Sequence, residues 1–211
     1  MKVQLNRLTA VLLLAACTIG NTYAQSAREV LDRAAAHITK GSGVKASFKA
    51  TQFSGTTENS STQGTMWMRG RKFKMQTPDM STWFDGKTEW TMLKGSNEVN
   101  VSEPTESEQQ AINPYALISI YKKGYALSQK KGELRGRPTY VVTMRAKRGQ
   151  AIAYVIVDVD SSTFKPLCIR ALRDGDWTRL SILSLTTDNV PDATFTFPKS
   201  EYPNAEVIDL R

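Results

Sequence analysis

The sequence predicts a mainly β protein (α+β class) built on a strongly curved antiparallel sheet or partial barrel. Three observations lead to this fold class. In residues 64–104, short runs alternate apolar with polar residues and are broken by Gly, Pro and Asp-Gly, the pattern of a β-meander. Further strand-like runs with turn signals follow residue 124. Helical periodicity is confined to residues 26–40 and 105–123, which leaves few helices to cover the sheet.

The N-terminus resembles a secretory signal, with a charged start and an apolar run at residues 8–16 that is too short to span a bilayer. Two cleavage sites compete. One follows Ala24 and would release a soluble protein beginning at Gln25, and the other is a lipobox that would leave a lipidated Cys17. We favour the first, with residues 1–24 as the signal peptide and residues 25–211 as a single domain.

The first predicted helix covers residues 26–40, where Ser26 and Glu29 have the spacing of a capping box. Its apolar stripe consists of Val30, Leu31, Ala34, Ala35 and Ile38. Residues 44–53 alternate as a strand, and residues 54–63 are expected to be a polar loop.

Turns of the meander are expected near Gly70, Pro78-Asp79, Asp85-Gly86 and residues 95–97, with Asp85-Gly86 as a two-residue hairpin turn. Asn113-Pro114 interrupts the second helical segment, which indicates two short helices or one kinked helix. The later strands are expected at residues 125–131, 139–146, 152–158, 167–173, 177–186 and 194–197.

The meander is rich in large, adaptable apolar side chains: Trp67, Trp83, Trp90, Met66, Met68, Met75, Met80 and Met92. Two interpretations remain open. Trp and Met on alternating strands are usually ordinary core. A single curved sheet with few covering helices can instead enclose space for a variable, greasy ligand. The fold argument favours the ligand surface.

Catalytic and metal-binding motifs are missing from the sequence. It has no GxSxG, HExxH, P-loop or GxGxxG motif, and His37 is the only histidine. Asp158 and Asp160 would make at most a weak cation site, and a solvated turn fits them better. Cys168 lies in an apolar strand and is expected to be a buried, inert thiol. We therefore expect a binding protein, with no metal and no cofactor, and not an enzyme.

The formal net charge of +8 allows two interpretations, simple solubility or docking to anionic lipid or an acidic partner. Export argues against nucleic acid. The pairs Lys122-Lys123 and Lys130-Lys131 are interpreted as solvated faces rather than docking sites.

Several motifs of the meander together resemble the periplasmic outer-membrane lipoprotein carrier family, LolA. They are the strand Gly64-Thr65-Met66-Trp67-Met68-Arg69, the pair Lys72-Phe73, Pro78-Asp79, and the hairpin Asp85-Gly86-Lys87-Thr88-Glu89-Trp90, in the family's order. Residues 192–197 with Val207 are similar to the family's closing strand. The resemblance covers essentially the whole chain after the signal.

The resemblance implies an incomplete antiparallel barrel closed by a lid of short helices, with a hydrophobic cavity for acyl chains between them. The candidate cavity residues are Phe48, Met66, Met68, Phe73, Met75, Trp83, Trp90 and Met92. The candidate lid residues are Ile112, Leu117, Ile118 and Tyr121. A basic residue in the turn before Phe73, either Arg69 or Arg71, is expected to clamp the lid by donating to its carbonyls.

The function implied by the resemblance is a monomeric periplasmic carrier that binds lipoprotein acyl chains and ferries them to the outer membrane. Its expected partners are lipoproteins, an inner-membrane exporter and an outer-membrane acceptor, without cofactor or nucleic acid. Two alternatives stay open. One is a lipid-anchored acceptor, attached through Cys17, and the other is a lipid-sensing regulatory protein. An enzyme acting on envelope lipid has the least support.

Overall fold

Two α-helices and twelve β-strands form the described part of the chain in a computed structural model, which covers residues 19–39, 41–105, 108–109 and 113–211. The helices are α1 (Ile19–Thr39) and α2 (Pro114–Ser119). The strands are β1 (Val44–Ser54), β2 (Thr57–Arg69), β3 (Lys72–Gln76), β4 (Met80–Phe84), β5 (Glu89–Leu93), β6 (Glu98–Ser102), β7 (Tyr125–Leu134), β8 (Arg137–Ala146), β9 (Tyr154–Asp160), β10 (Pro166–Arg173), β11 (Asp176–Thr187) and β12 (Glu206–Asp209).

All of these strands belong to one sheet, in the order β12-β6-β5-β4-β3-β2-β1-β11-β10-β9-β8-β7. Neighbouring strands are antiparallel, except that β12 runs parallel to β6. The edge strands β12 and β7 do not pair with each other in the described residues, so the sheet is not closed. The prediction of a mainly β protein with few helices is confirmed.

Helix α1 buries the apolar stripe that the sequence predicts, with Leu31 and Ala34 fully buried, and packs against β7, β2 and β8. Its start differs from the prediction. Ser26 lies inside the helix rather than at its cap, and its hydroxyl accepts a hydrogen bond from Gln129 Nε2 of β7 at 3.1 Å. A tertiary partner therefore uses the oxygen that was expected to cap the helix.

No helix in the described ranges is both long and apolar enough to cross a membrane.

The predicted loop at residues 54–63 is wrong, because most of this segment belongs to β2. Strands β1 and β2 form a hairpin whose turn includes Gly55, with φ of 60°. Residues 57–61 are exposed, so pairing with β1 orders this part of the strand without burial. A strand exposed on both faces lacks the apolar alternation that reveals a half-buried strand.

Two further turn and strand predictions are corrected. Residues 85–88 separate β4 from β5, because Asp85 Oδ1 accepts the N–H groups of Lys87 at 2.9 Å and Thr88 at 2.8 Å and so stabilises a longer loop than a two-residue turn. The expected strand at residues 194–197 is replaced by a 3₁₀ helix at Asp192–Phe195, and the closing strand is β12.

The second helical segment is broken where the sequence predicts it. Helix α2 begins at Pro114, where a missing N–H has no cost, and a 3₁₀ helix at Ile120–Lys122 follows. Ile112 and Cys17 lie outside the described residues.

The two faces of the sheet have different coverings. Alternate strand residues on the "helix face" share one buried apolar cluster with α1, α2 and the 3₁₀ helix that follows α2. The opposite "outer face" is covered over β4 by the C-terminal segment, residues 188–211, whose Phe197 and Tyr202 lie against Trp83. Strand alternation therefore decides which of two separate environments each side chain enters.

Candidate functional site

The helix face contains five of the eight candidate cavity residues: Phe48, Met66, Met68, Phe73 and Met75. Cross-strand register aligns them, with Met66 opposite Met75 and Met68 opposite Phe73 on β2 and β3. All five are buried, from 0% exposed for Phe73 to 8% for Met75. They form a floor within the apolar cluster that also contains residues of α1, α2 and the 3₁₀ helix that follows α2.

Two aromatic contacts shape this floor. The ring of Phe73 lies 5.4 Å, centroid to centroid, from that of Phe84, a fully buried residue of β4 that the sequence reasoning did not single out. Because Phe84 directly follows Trp83 on β4, the two side chains point to opposite faces of the sheet. Gly64 stands opposite Phe48, and a Cβ there would lie 2.7 Å from the Phe48 ring and 2.4 Å from the Gln76 carbonyl oxygen. Glycine therefore allows the close approach of the ring.

The other three candidates, Trp83, Trp90 and Met92, project from the outer face. Trp83 is paired with Trp90 across β4 and β5, and Met92 shares its side of β5 with Trp90. Trp83 is 1% exposed, and its ring contacts Phe197 at 5.3 Å and Tyr202 at 6.3 Å between centroids. The eight candidates therefore lie on two faces of the sheet, five on the helix face and three on the outer face.

The candidate lid residues described by the structure pack on the helix face. Ile118 is fully buried, Tyr121 is nearly so, and Leu117 lies against the same cluster. The Tyr121 hydroxyl donates a hydrogen bond to Asp32 of α1, and the Arg28 guanidinium lies 5.2 Å from the Tyr121 ring centre. The segment that the resemblance identifies as a lid is therefore attached chiefly to α1.

The candidate clamp Arg69 has partners in the C-terminal segment rather than in α2. Its Nη1 donates to the Val190 carbonyl at 2.8 Å, its guanidinium pairs with Asp192, and its Cζ lies 5.8 Å from the Phe195 ring centre. Lys72 Nζ also lies 2.5 Å from Asp192 Oδ1. Hydrogen bonds from Lys72 and Arg69 lower the pKa of the Asp192 carboxyl.

Arg71 is exposed, and within the described residues its side chain makes no hydrogen bond or ion pair. Of the two candidates, only Arg69 is placed to hold a carbonyl group. The carbonyl belongs to a segment that the sequence reasoning treated as a closing strand.

The carboxylates considered as a weak cation site have structural partners. Asp158 pairs with Arg170 at 2.8 Å. Asp160 Oδ1 accepts the Ser162 hydroxyl and the N–H groups of Ser162 and Thr163, which lowers the pKa of Asp160 to about 2. Cys168 is buried, and desolvation raises its pKa, as expected for an inert thiol. In the described ranges, no group of three or more His, Cys, Asp or Glu side chains is arranged to hold a metal ion.

A single open sheet with helices packed on one face and an apolar cluster between them defines a fold of the LolA-like class. Residues 18–176 match the family model described as "Outer membrane lipoprotein carrier protein LolA". The chain belongs to this family, whose description is that of a carrier.

Three solved structures are similar to the chain. A LolA superfamily protein from Nitrosomonas europaea is 13% identical, with 83% of this chain and 98% of that chain covered and a TM-score of 0.47. A putative outer membrane lipoprotein-sorting protein domain from Vibrio parahaemolyticus is 11% identical, with 86% and 98% covered and a TM-score of 0.47. LprF from Mycobacterium bovis is 9% identical, with 81% and 98% covered and a TM-score of 0.47. No curated protein sequence matches this chain.

Proposed function

We propose that this protein is a periplasmic carrier that binds the acyl chains of lipoproteins between the helix face of its sheet and the covering helices. One observation carries the proposal: in a chain of the LolA family, five aligned Phe and Met side chains form a buried floor in the apolar cluster that they share with α1 and α2. In this proposal the open sheet acts as an incomplete barrel, and the segment containing α2 is its lid.

The floor has the chemistry that a variable acyl ligand needs. Met66, Met68 and Met75 are unbranched and flexible, so they can repack around chains of different length. Each methylene group transferred from water would contribute about 0.8 kcal/mol, so partial burial of a chain gives useful affinity. Cargo entry would require Leu117 and Ile118 to move, because both now pack in the apolar cluster that contains the floor.

Export and partner proteins complete the proposed cycle. Residues 1–24 would direct export, after which an inner-membrane exporter would load the monomeric carrier and an outer-membrane acceptor would receive the cargo. The proposal requires no cofactor, metal or nucleotide. Helix α1 extends through Ala24, so cleavage there would shorten this helix to residues 25–39.

A matched pair of methionines on opposite faces tests the cargo site. We expect Met75→Asp to abolish binding of a fluorescent acyl probe, because an unpaired charge in an apolar site is costly. Met92→Asp, on the outer face, should leave probe affinity within about twofold of the wild-type value. Probe titration and competition by a lipidated peptide give both results.

Circular dichroism establishes that each variant is folded, and Met75→Gln replaces Met75→Asp if the charged variant unfolds. Undiminished probe binding by a folded Met75 variant would exclude the helix face as the cargo site.

The lipobox at Cys17 supports a second candidate, a lipid-anchored acceptor in the outer membrane. The mass of the protein processed in its host distinguishes the two. A chain beginning at Gln25 supports the soluble carrier, whereas a diacylated Cys17 supports the acceptor.

A further inference from the structure

Four adjacent strands, β11, β1, β2 and β3, carry more basic than acidic residues. These strands contain the cations Lys45, Lys49, Arg69, Lys72, Lys74 and Arg179. Their only acidic residues are Glu58 and Asp176, which lie at the end of the strands where the β1–β2 and β10–β11 turns occur. The rest of this four-strand region therefore has positive charge without acidic side chains of its own.

Strand alternation directs all six cations to the outer face. Lys45 is opposite Trp67, and Trp67 is opposite Lys74, on the side away from Met66 and Met68. Lys49 follows Lys45 on the same side of β1, and Arg179 is opposite Thr51 of that side. The cations therefore share one surface, separate from the proposed cargo floor.

The six cations divide into two groups by their partners. Arg69 and Lys72 both form ion pairs with Asp192 and so hold the C-terminal segment on the sheet. The remaining four, Lys45, Lys49, Lys74 and Arg179, form what we call the "basic face". Among the described residues, this face has one acidic contact, a 3.9 Å pair between Lys49 and Glu58, whose side chains are 38% and 46% exposed. Such an exposed pair is worth little energy and is easily exchanged.

Aromatic rings lie between these cations. Lys45 Nζ is 5.4 Å and Lys74 Nζ is 5.6 Å from the ring centre of Trp67, and Arg179 Cζ is 4.7 Å from that of Phe53. Both rings are partly exposed. The aliphatic stems of the cations and the rings together present apolar surface beside the charged groups. Side chains of this kind prefer the boundary between water and lipid.

We propose that the basic face docks the protein on a membrane surface rich in anionic phospholipid. The four cations lie on three strands, β11, β1 and β3, of a region whose neighbouring strands are about 5 Å apart, rather than being gathered in a pocket. A distributed layer of negative headgroups matches such an array, and each Lys or Arg near that layer contributes on the order of 1 kcal/mol. Flexible lysines stacked on rings match diffuse charge better than the fixed carboxylates of an acidic protein, which bidentate arginine recognises best.

Docking in this orientation leaves the helix face and its covering helices directed away from the contact. Membrane docking through the basic face is therefore independent of cargo binding. Loss of docking should not alter acyl-probe affinity, so failure of this proposal and failure of the proposed carrier function give different results.

The test is sedimentation of the full-length processed protein with sucrose-loaded vesicles of phosphatidylglycerol and phosphatidylcholine. We expect partitioning to rise with the phosphatidylglycerol fraction and to fall as salt increases from about 0.05 to 0.5 M, because salt screens surface charge. Lys45→Gln/Lys74→Gln should weaken partitioning about 25-fold at low salt, since each cation near the surface accounts for about a fivefold change.

The matched control is Lys122→Gln/Lys123→Gln, which removes the same charge from exposed positions next to the lid segment. It should change partitioning by less than about threefold, because distant charges are screened. Trp67→Ala should also weaken binding, which a purely electrostatic attraction would not predict. Equal losses in the two lysine pairs, or no preference for anionic vesicles, would overturn the proposal. Binding to an acidic protein but not to vesicles would overturn it as well.

Discussion

The helix face and the outer face of the meander use similar side chains in different ways. On β3, Phe73 and Met75 enter the apolar cluster under the helices, while Lys72 and Lys74, which alternate with them, face the other side. On β4, Phe84 enters the cluster and Trp83 does not. The many aromatic and methionine residues of the meander therefore belong to two separate packed surfaces. The position of each residue along its strand decides which surface it joins.

The coverings explain why the two faces differ in chemistry. The helix face is closed by elements that hold it mainly through apolar packing, with Ile118 and Leu31 fully buried. The outer face is covered over β4 by the C-terminal segment, which is fixed by specific polar contacts from Arg69 and Lys72 as well as by the rings around Trp83. A ligand can replace packing more readily than it can replace a set of directed bonds, which favours the helix face for cargo.

The largest expected effect tests the helix face. Phe73→Ala should destabilise the protein by about 3–5 kcal/mol, because this fully buried ring contacts Phe84 and its removal leaves a cavity. Denaturant unfolding gives the value. A cost below about 1 kcal/mol would mean that the floor is already loosely packed around Phe73.

Trp83→Ala makes the corresponding test on the outer face. We expect a cost of about 3 kcal/mol together with faster proteolysis of the C-terminal segment, because Phe197 and Tyr202 lose the ring they pack against. Acyl-probe affinity should remain unchanged. The half-buried Trp90 is the control, and Trp90→Ala should cost less. Loss of probe binding in a folded Trp83→Ala protein would mean that cargo contacts the outer face.

Asp160 provides a pH test outside the meander, at the end of β9. Its folded-state pKa is lowered to about 2, so its stabilising effect is present above its ordinary pKa and is lost as pH falls toward 2. Asp160→Asn should cost about 1 kcal/mol at pH 7 and make stability less dependent on pH between 4 and 2. Unfolding midpoints of both proteins, measured between pH 4 and pH 2, test this prediction. If the stability of the variant falls with pH as that of the wild type does, other carboxylates dominate the acid dependence of stability.

The smallest expected effect separates the two clamp candidates. Arg69→Leu should speed amide exchange in the C-terminal segment about fivefold, because the bond to the Val190 carbonyl and the pair with Asp192 are lost. Arg71→Leu should have no such effect, since Arg71 is exposed. Hydrogen exchange read by mass spectrometry covers both variants. If Arg69→Leu instead loosens the segment around α2, the clamp acts on the lid as the family resemblance implied.

Local pattern predicted most of the strands, but not all of them. Residues 44–53 and 177–186 lie within β1 and β11, because one face of each carries buried apolar residues that alternate with polar ones. The start of β2 was missed because its exposed polar residues have no such alternation. The 3₁₀ helix at Asp192–Phe195 was mistaken for a strand because its burial depends on long-range contacts with β3 and β4.

The candidate site was only partly predictable for a similar reason. Phe73 and Met75 could be placed on one side of β3 from the sequence, but which side meets the helices is a tertiary property. The partner of Arg69 was also out of reach, since Val190 lies 121 residues away in the chain. A basic turn residue has many possible acceptors, and only the folded chain brings one of them within hydrogen-bond distance.

The sequence by itself determined the mainly β class, the apolar stripe of α1, the break at Pro114 and the LolA family, because these depend on local periodicity and on short motifs. Only the tertiary structure decided that the C-terminal segment covers Trp83 on the outer face and that the basic residues of β11, β1, β2 and β3 share that face. The physical reason is that strand alternation fixes which residues share a side, whereas the packing of distant segments fixes what each side meets.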